Sequence, residues 1–254
     1  MGVNPPSLRH DLCVDNRTEQ LADGVWRIEL AFWVSAFVLA NNGHDDTDGL
    51  TLVDTGTKGM APRLVRSIRL AGLNPSAVGD VLLTHWHTDH AGGAERFAAS
   101  SSGPRVWIGT EDLPVLTGEL TPGDAAVDCG RLTRLLHRYA YAAPSPCASA
   151  QPLLDGMELA AAGGTVVTHT PGHTAGHLAL HLPSRGVLIA GDAVMNLWRL
   201  AASPRALCSA RSQAAASIQL LSELSFDVLA PMHGPPITKQ AQPRLAAVAA
   251  RFNS

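Results

Sequence analysis

Apolar positions along the chain switch repeatedly between a two-residue period and a three-to-four-residue period, and the switching divides it into short strands and helices. After a polar lead, residues 1–22, Gly24–Leu30 alternates as a strand does, and Val34–Ala40 is apolar and short enough to be a second. The polar stretch Asn41–Gly49 reads as a hairpin loop into a strand at Leu50–Asp54. Ala61–Leu70 carries apolar residues at helical spacing, with Arg63, Arg66 and Arg69 on the other side, and Gly72–Pro75 stops it. A strand at Val78–Thr84, a short helix at Ala94–Ala99 and a strand at Arg105–Ile108 follow. Residues 110–150 are rich in turn formers, with one helical patch at Arg131–Arg138.

The second half repeats the alternation with different residues. Strands are expected near Met157–Leu159, Thr165–Thr168, Leu178–His181 and Val187–Ala190, then a helix over Ala206–Leu224, a strand at Val228–Leu229 and a closing helix at Gln242–Phe252. No Gly/Ser linker separates the halves and no 20 to 50 residue period recurs, so residues 1–254 read as one domain. Mixed strands and helices in both halves point to an α/β protein in which two sheets pack face to face with helices outside, an αβ/βα sandwich.

Composition narrows the classes. The chain has 254 residues, 46% of them hydrophobic, which is enough to bury a core. Its 19 basic and 22 acidic residues give a net charge of −3, and no Lys/Arg run supplies a local footprint for phosphate backbones, so no nucleic-acid partner is expected. Nowhere do 18 apolar residues run without charge or turn formers, and the first residues lack an apolar signal-peptide core. The expectation is a cytoplasmic protein with no membrane partner. Cys13, Cys129, Cys147 and Cys208 are widely separated and form neither a disulfide framework nor a thiolate metal site.

The chemistry lies in histidines and aspartates at strand ends. The strand at Val78–Thr84 runs into His85, His87, Asp89 and His90, followed by Gly92 and Gly93. In an extended segment residues two apart share a face, so His85, His87 and Asp89 are expected to point one way while His90 turns in from the bend. Imidazole and carboxylate suit Zn(II), Fe(II) and Mn(II), and these donors are too many for one tetrahedral ion with an open position. Two adjacent ions are implied, with Gly92 and Gly93 letting the backbone pass close to them.

This segment resembles the HxHxDH signature of the metallo-β-lactamase superfamily, standing as His85-Trp86-His87-Thr88-Asp89-His90. Its other signatures follow in order: Asp54-Thr55-Gly56, the Thr170–His177 stretch with His173, Gly191-Asp192, and Met232-His233-Gly234. The resemblance implies the four-layer metallo-β-lactamase fold. It further implies that His85, His87 and His173 hold one metal, that Asp89, His90 and His233 hold the other, and that Asp192 bridges both. Asp54 either makes an Asx-type turn or, as in the family, accepts a hydrogen bond from a ligand histidine. His177 reads as a packing or hydrogen-bonding residue, since both metals are already provided for.

The implied reaction is hydrolysis by a metal-bound hydroxide, with zinc the first expectation and iron or manganese the alternatives. Asp89 is the candidate catalytic carboxylate, orienting the hydroxide and handling a proton. No GxSxG stands in the chain to offer a serine nucleophile. An aspartate at position 192 resembles the glyoxalase II and lactonase-like branch rather than the true β-lactamases. Only 21 residues follow His233, too few for the glutathione-binding domain of typical glyoxalase II enzymes. The expected substrate is a small acyl compound, a lactone, ester or thioester; a mononuclear iron enzyme like the persulfide dioxygenases, with iron on His85, His173 and Asp192, is the alternative. Phe32, Trp33, Met195, Leu197 and Trp198, with Arg134, Arg138, Tyr139 and Tyr141 in the 110–150 region, are candidates for a pocket mouth, and core packing or a homodimer interface is the other use open to them.

Overall fold

The computed structural model describes residues 18–31, 33–42, 45–99, 103–125 and 142–252. The helical patch expected at Arg131–Arg138 and the candidate mouth residues Phe32, Arg134, Arg138, Tyr139 and Tyr141 lie outside them.

The first sheet has the order β1 (Thr18–Ala22), β2 (Val25–Ala31), β3 (Val34–Ala40), β4 (Leu50–Val53), β5 (Val78–Leu83), β6 (Arg105–Gly109) and β7 (Gln151–Leu153). Its first four strands pair antiparallel and β4 to β7 pair parallel. The second sheet runs β14 (Val228–Pro231), β11 (Val187–Gly191), β10 (Leu178–Leu182), β9 (Thr165–His169) and β8 (Glu158–Leu159). A separate hairpin joins β12 (Val194–Asn196) to β13 (Leu200–Ala202). The longer helices are α1 (Ala61–Leu70), α6 (Arg211–Ser222) and α7 (Ala241–Phe252); short turns of helix stand at α2 (Thr88–Ala91), α3 (Ala94–Ala98), α4 (Leu113–Thr117) and α5 (Pro122–Ala125).

Strand alternation sorts the core into three layers of contact. From β3, Phe37 and Leu39 pack between the sheets with Val53, Leu178, Leu180, Val187 and Ile189. Ala36 and Val38, on the opposite face of β3, meet Leu64 and Ile68 of α1. From β11, Leu188 and Ala190 face outward onto Ile218 and Leu221 of α6 and Leu245 of α7. Both faces of the central strands are therefore buried, which is why β11, and β3 apart from the buried Ser35, are apolar rather than alternating. The result is a four-layer αβ/βα sandwich with one helix layer on each outer face.

Several local expectations change. Thr18–Ala22 belongs to β1 rather than to a featureless polar lead, and it pairs with β2 as an edge strand that exposes Glu19 and Gln20. The helix expected from Ala206 begins at Arg211, because residues 208–210 are held extended by backbone bonds from Ser209 to His173 and from Ala210 to Gly172. No helix among the described residues is long and apolar enough to cross a membrane.

One end of the sandwich is stitched by the backbone. Ser35 N–H donates to Met232 O (2.8 Å), Gly234 N–H to Trp33 O (2.9 Å) and Leu178 N–H to Thr84 O (2.8 Å), so the two sheets are joined where β5 and β14 end. The residues singled out from the sequence collect at this same end.

Candidate metal centre

β5 leaves its sheet after Leu83, and the extended backbone through His85 and His87 puts both imidazoles on one side, as the spacing requires. His85 Nε2 lies 3.0 Å from His87 Nδ1, and His87 Nδ1 lies 3.0 Å from His173 Nε2, the last delivered by the loop after β9. A neutral imidazole has one N–H and one lone pair, and a single proton can join only two nitrogens, so three nitrogens pointed at one spot suit a cation better than hydrogen bonds. Burial pushes the pKa of His85 and His87 well below the usual value and that of His173 to about 4, which keeps all three lone pairs free of protons.

Asp89 departs from the expected geometry. Thr88–Ala91 is a helical turn, not a continued strand, and it swings Asp89 and His90 away together. Asp89 Oδ2 stands 3.4 Å from His90 Nε2 and 3.3 Å from His233 Nε2, forming a second donor group with His233, the second residue after β14. Asp192, following β11, lies between the groups: its Oδ2 is 3.3 Å from His233 Nε2, 3.6 Å from His173 Nε2 and 3.7 Å from His90 Nε2. Three sets could each hold an ion, namely His85/His87/His173, His85/His90/Asp192 and Asp89/His90/His233.

Electrostatics separates the two halves of the centre. Burial alone would lower His90 and His233, but the Asp89 and Asp192 carboxylates override it, raising His90 and bringing His233 to about 9. In turn, burial would raise Asp89 and Asp192, and the neighbouring histidines hold both well below the usual carboxylate range. Asp192 Oδ1 and His173 Nδ1 are buried without a hydrogen-bond partner. A buried carboxylate oxygen with no donor is costly unless a cation faces it. Five imidazoles and two ionised carboxylates, with no thiolate among them, fit a pair of divalent cations of the zinc, iron or manganese type.

The supporting residues resolve two open readings. Asp54 Oδ2 is 2.8 Å from His90 Nδ1, while Oδ1 accepts from Thr84 N–H (2.7 Å) and Oδ2 from the Thr84 hydroxyl (2.7 Å). Its backbone is left-handed, φ 56°, a conformation aspartate tolerates better than most residues, so the turn and the bond to His90 are both present. Asp54→Ala should therefore cost about 10 to 100-fold in metal affinity or activity, the usual size for such an orienting partner. Metal titration checks this, and unchanged affinity would reduce Asp54 to a turn residue.

His177 does hydrogen-bond rather than point into the donor groups. Its Nε2 accepts from Asp192 N–H (2.8 Å), so the proton sits on Nδ1, which faces Thr170 O at 3.0 Å and its hydroxyl at 2.8 Å. Burial lowers its pKa to about 3, keeping it neutral. Gly191, φ 55°, is required here: a Cβ would stand 2.4 Å from His177 Nε2. Gly92 has a different role from the one expected, since a Cβ there would meet the backbone of Thr88, Thr57 and Lys58, so the close approach is to protein and not to an ion. Asp112 was not legible from any motif, yet its buried carboxylate accepts bonds from Trp86 N–H, Thr174 Oγ1–H and Gly176 N–H, and burial pushes it up to about 6 against those donors.

At the rim, Trp33 and Trp198 meet edge to face with centroids 6.3 Å apart. Trp198 is 88% exposed and Trp33 49% exposed, whereas Met195 is buried. Trp33 precedes the bridge between Val34 and His233, and Asn196 N–H donates to His233 O (2.9 Å), so both hairpins are anchored at the donor groups.

A family model described as the metallo-beta-lactamase superfamily matches residues 34–233. The chain is 28% identical to the probable metallo-hydrolase YqjP of Bacillus subtilis (strain 168) over 214 residues, 75% of this chain and 66% of that protein. It is 28% identical over 149 residues to the beta-lactamase-like protein 2 homolog of Drosophila melanogaster, covering 57% of this chain and 42% of that one. The matches thus span about two thirds or less of these relatives. Among solved structures, metallo-beta-lactamase SMB-1 bound to 2-mercaptoethanesulfonate is similar with a TM-score of 0.71 at 18% identity, over 93% of this chain and 94% of that one, a likeness of fold.

Proposed function

The chain belongs to the metallo-beta-lactamase superfamily, and from that premise we propose that it is a dinuclear metallohydrolase of the lactonase and glyoxalase II-like kind, cleaving a lactone, ester or thioester. The observation that carries the reading is the Asp192 carboxylate, whose one oxygen is 3.3 to 3.7 Å from nitrogens of both donor groups. His85, His87 and His173 would hold one ion, Asp89, His90 and His233 the other, and Asp192 both; zinc suits these nitrogen and oxygen donors best. Divalent cations so held would supply Lewis acidity, making a bound water more acidic and a substrate carbonyl more electrophilic.

The chain's own residues supply the rest. Asp89 is more open to solvent than the other donors, so its carboxylate can orient the attacking water and pass its proton toward the leaving group. His177 fixes the backbone at Asp192, and Asp54 fixes the His90 ring. No protein nucleophile competes among the described cysteines: burial raises Cys147 and brings Cys208 to about 11, leaving both as thiols.

Substrate choice rests on the rim. The exposed tryptophan pair offers apolar surface, which favours an uncharged, partly apolar acyl group. A panel of γ- and δ-lactones, aryl esters, S-lactoylglutathione, a cephalosporin and bis-p-nitrophenyl phosphate, assayed with metal-loaded enzyme and a His87→Ala control, should give metal-dependent turnover fastest on the neutral lactones or esters. Fastest turnover of the phosphodiester, or of S-lactoylglutathione by orders of magnitude, overturns the substrate class.

A further inference from the structure

We propose that Asp112 is a positioning residue for one of the two ions only, the one expected at His85, His87 and His173; the inference rests on the dinuclear reading above. Asp112 occupies the N-cap position of α4, where an aspartate usually accepts a bond from the first turn, yet its side chain makes no cap bond. It is turned instead toward two distant loops. Oδ2 accepts from Trp86 N–H (3.2 Å) and from Thr174 Oγ1–H (2.6 Å), and Oδ1 accepts from Gly176 N–H (2.8 Å).

Those donors are not arbitrary. Trp86 lies between His85 and His87, and Thr174 follows His173, so one buried carboxylate grips the immediate neighbours of all three histidines. The grip is close: a Cβ on Gly176 would stand 2.4 Å from Asp112 N, and one on Gly109 would stand 1.9 Å from Gly176 O. With glycine at both places, β6 and the turn after it can press against the 173–177 loop. No bond of Asp112 reaches Asp89, His90 or His233 among the described contacts, where Asp54 orients His90 instead. Asp112 thus stands behind the three-histidine group alone, whereas Asp54 holds His90 and, through the Thr84 hydroxyl 3.1 Å from His85 Nδ1, also touches the three-histidine group.

An amide cannot replace this carboxylate. In Asp112→Asn, an amide oxygen facing Trp86 and Thr174 would leave the NH2 against Gly176 N–H; in the flipped orientation the NH2 would face Trp86 N–H. The test is a zinc titration of metal-free full-length protein against a competing chelator, for wild type, Asp112→Asn and Thr174→Val. The same substitutions made in a His233→Ala background isolate the three-histidine group, and those in a His87→Ala background isolate the other. Asp112→Asn should weaken the three-histidine ion by about 10 to 100-fold and leave the second ion at its wild-type affinity. Thr174→Val, which removes one donor and no charge, should weaken the same ion by less, and it carries the test if Asp112→Asn fails to fold. Unchanged affinity at the three-histidine group, or equal losses at both groups, overturns the inference. Failure of the wild type to bind two ions would instead overturn the dinuclear reading.

Discussion

Asp192→Ala protein should purify with little metal at either position and turn over the best substrate of the panel at least about 10³-fold more slowly, a loss of about 4 kcal/mol of transition-state stabilisation. The expectation follows from where the carboxylate stands. Its Oδ2 is close to His173 of one group and to His90 and His233 of the other, so if it bridges as proposed its removal would take an anionic ligand from both ions at once. What remains is a cluster of imidazoles with only Asp89 to balance two divalent charges. His177→Ala is the matched control, because Nε2 is occupied by Asp192 N–H and Nδ1 carries the proton, leaving no lone pair for an ion. That variant should retain two ions per chain by elemental analysis. Full occupancy in Asp192→Ala would remove the bridging role.

The elements legible in the sequence are those whose pattern is set by their own burial. β3 and α1 have the bounds that their apolar spacing suggests, because every residue of β3 is enclosed and α1 presents Ala61, Leu64 and Ile68 to the sheet. The seven candidate donors stand out in the sequence because so many ligand-type side chains near strand ends have no cheaper structural use, and the structure gathers them into groups that could hold an ion. Less legible were features made by partners far along the chain. β1 is a strand only because β2 offers it an edge, and residues 208–210 are extended only because the His173 loop binds them. Asp112 carries no local signal, since its three donors come from 26 to 64 residues away. The period-two reading of Asp89 failed for a local reason: α2 begins at Thr88, and a helical turn places Asp89 and His90 side by side.

Stripping the metal with a chelator should abolish hydrolysis and lower the Tm by on the order of 10 °C, with both restored by zinc. A ligand bound only by the folded chain, present at about a thousand times its Kd, contributes about 4 kcal/mol, and a domain of this size gains roughly 2 to 4 °C per kcal/mol. The cost of emptying the centre is visible in its contacts: two nitrogen pairs at 3.0 Å, and a buried Asp192 oxygen with no donor. Without cations those groups repel one another or remain desolvated without a partner, whereas bound ions satisfy them together. Elemental analysis of protein purified without added metal then decides the class of chemistry. About two ions per chain, zinc or a mixed pair, with hydrolysis lost and regained alongside them, is the expected result. A single iron per chain with substrate-dependent oxygen uptake would reassign the centre to an oxidoreductase using His85, His173 and Asp192, and would leave Asp89, His90 and His233 as its hydrogen-bonding surround. An apo protein as thermostable as the loaded one would mean that these side chains are not held in place for an ion at all.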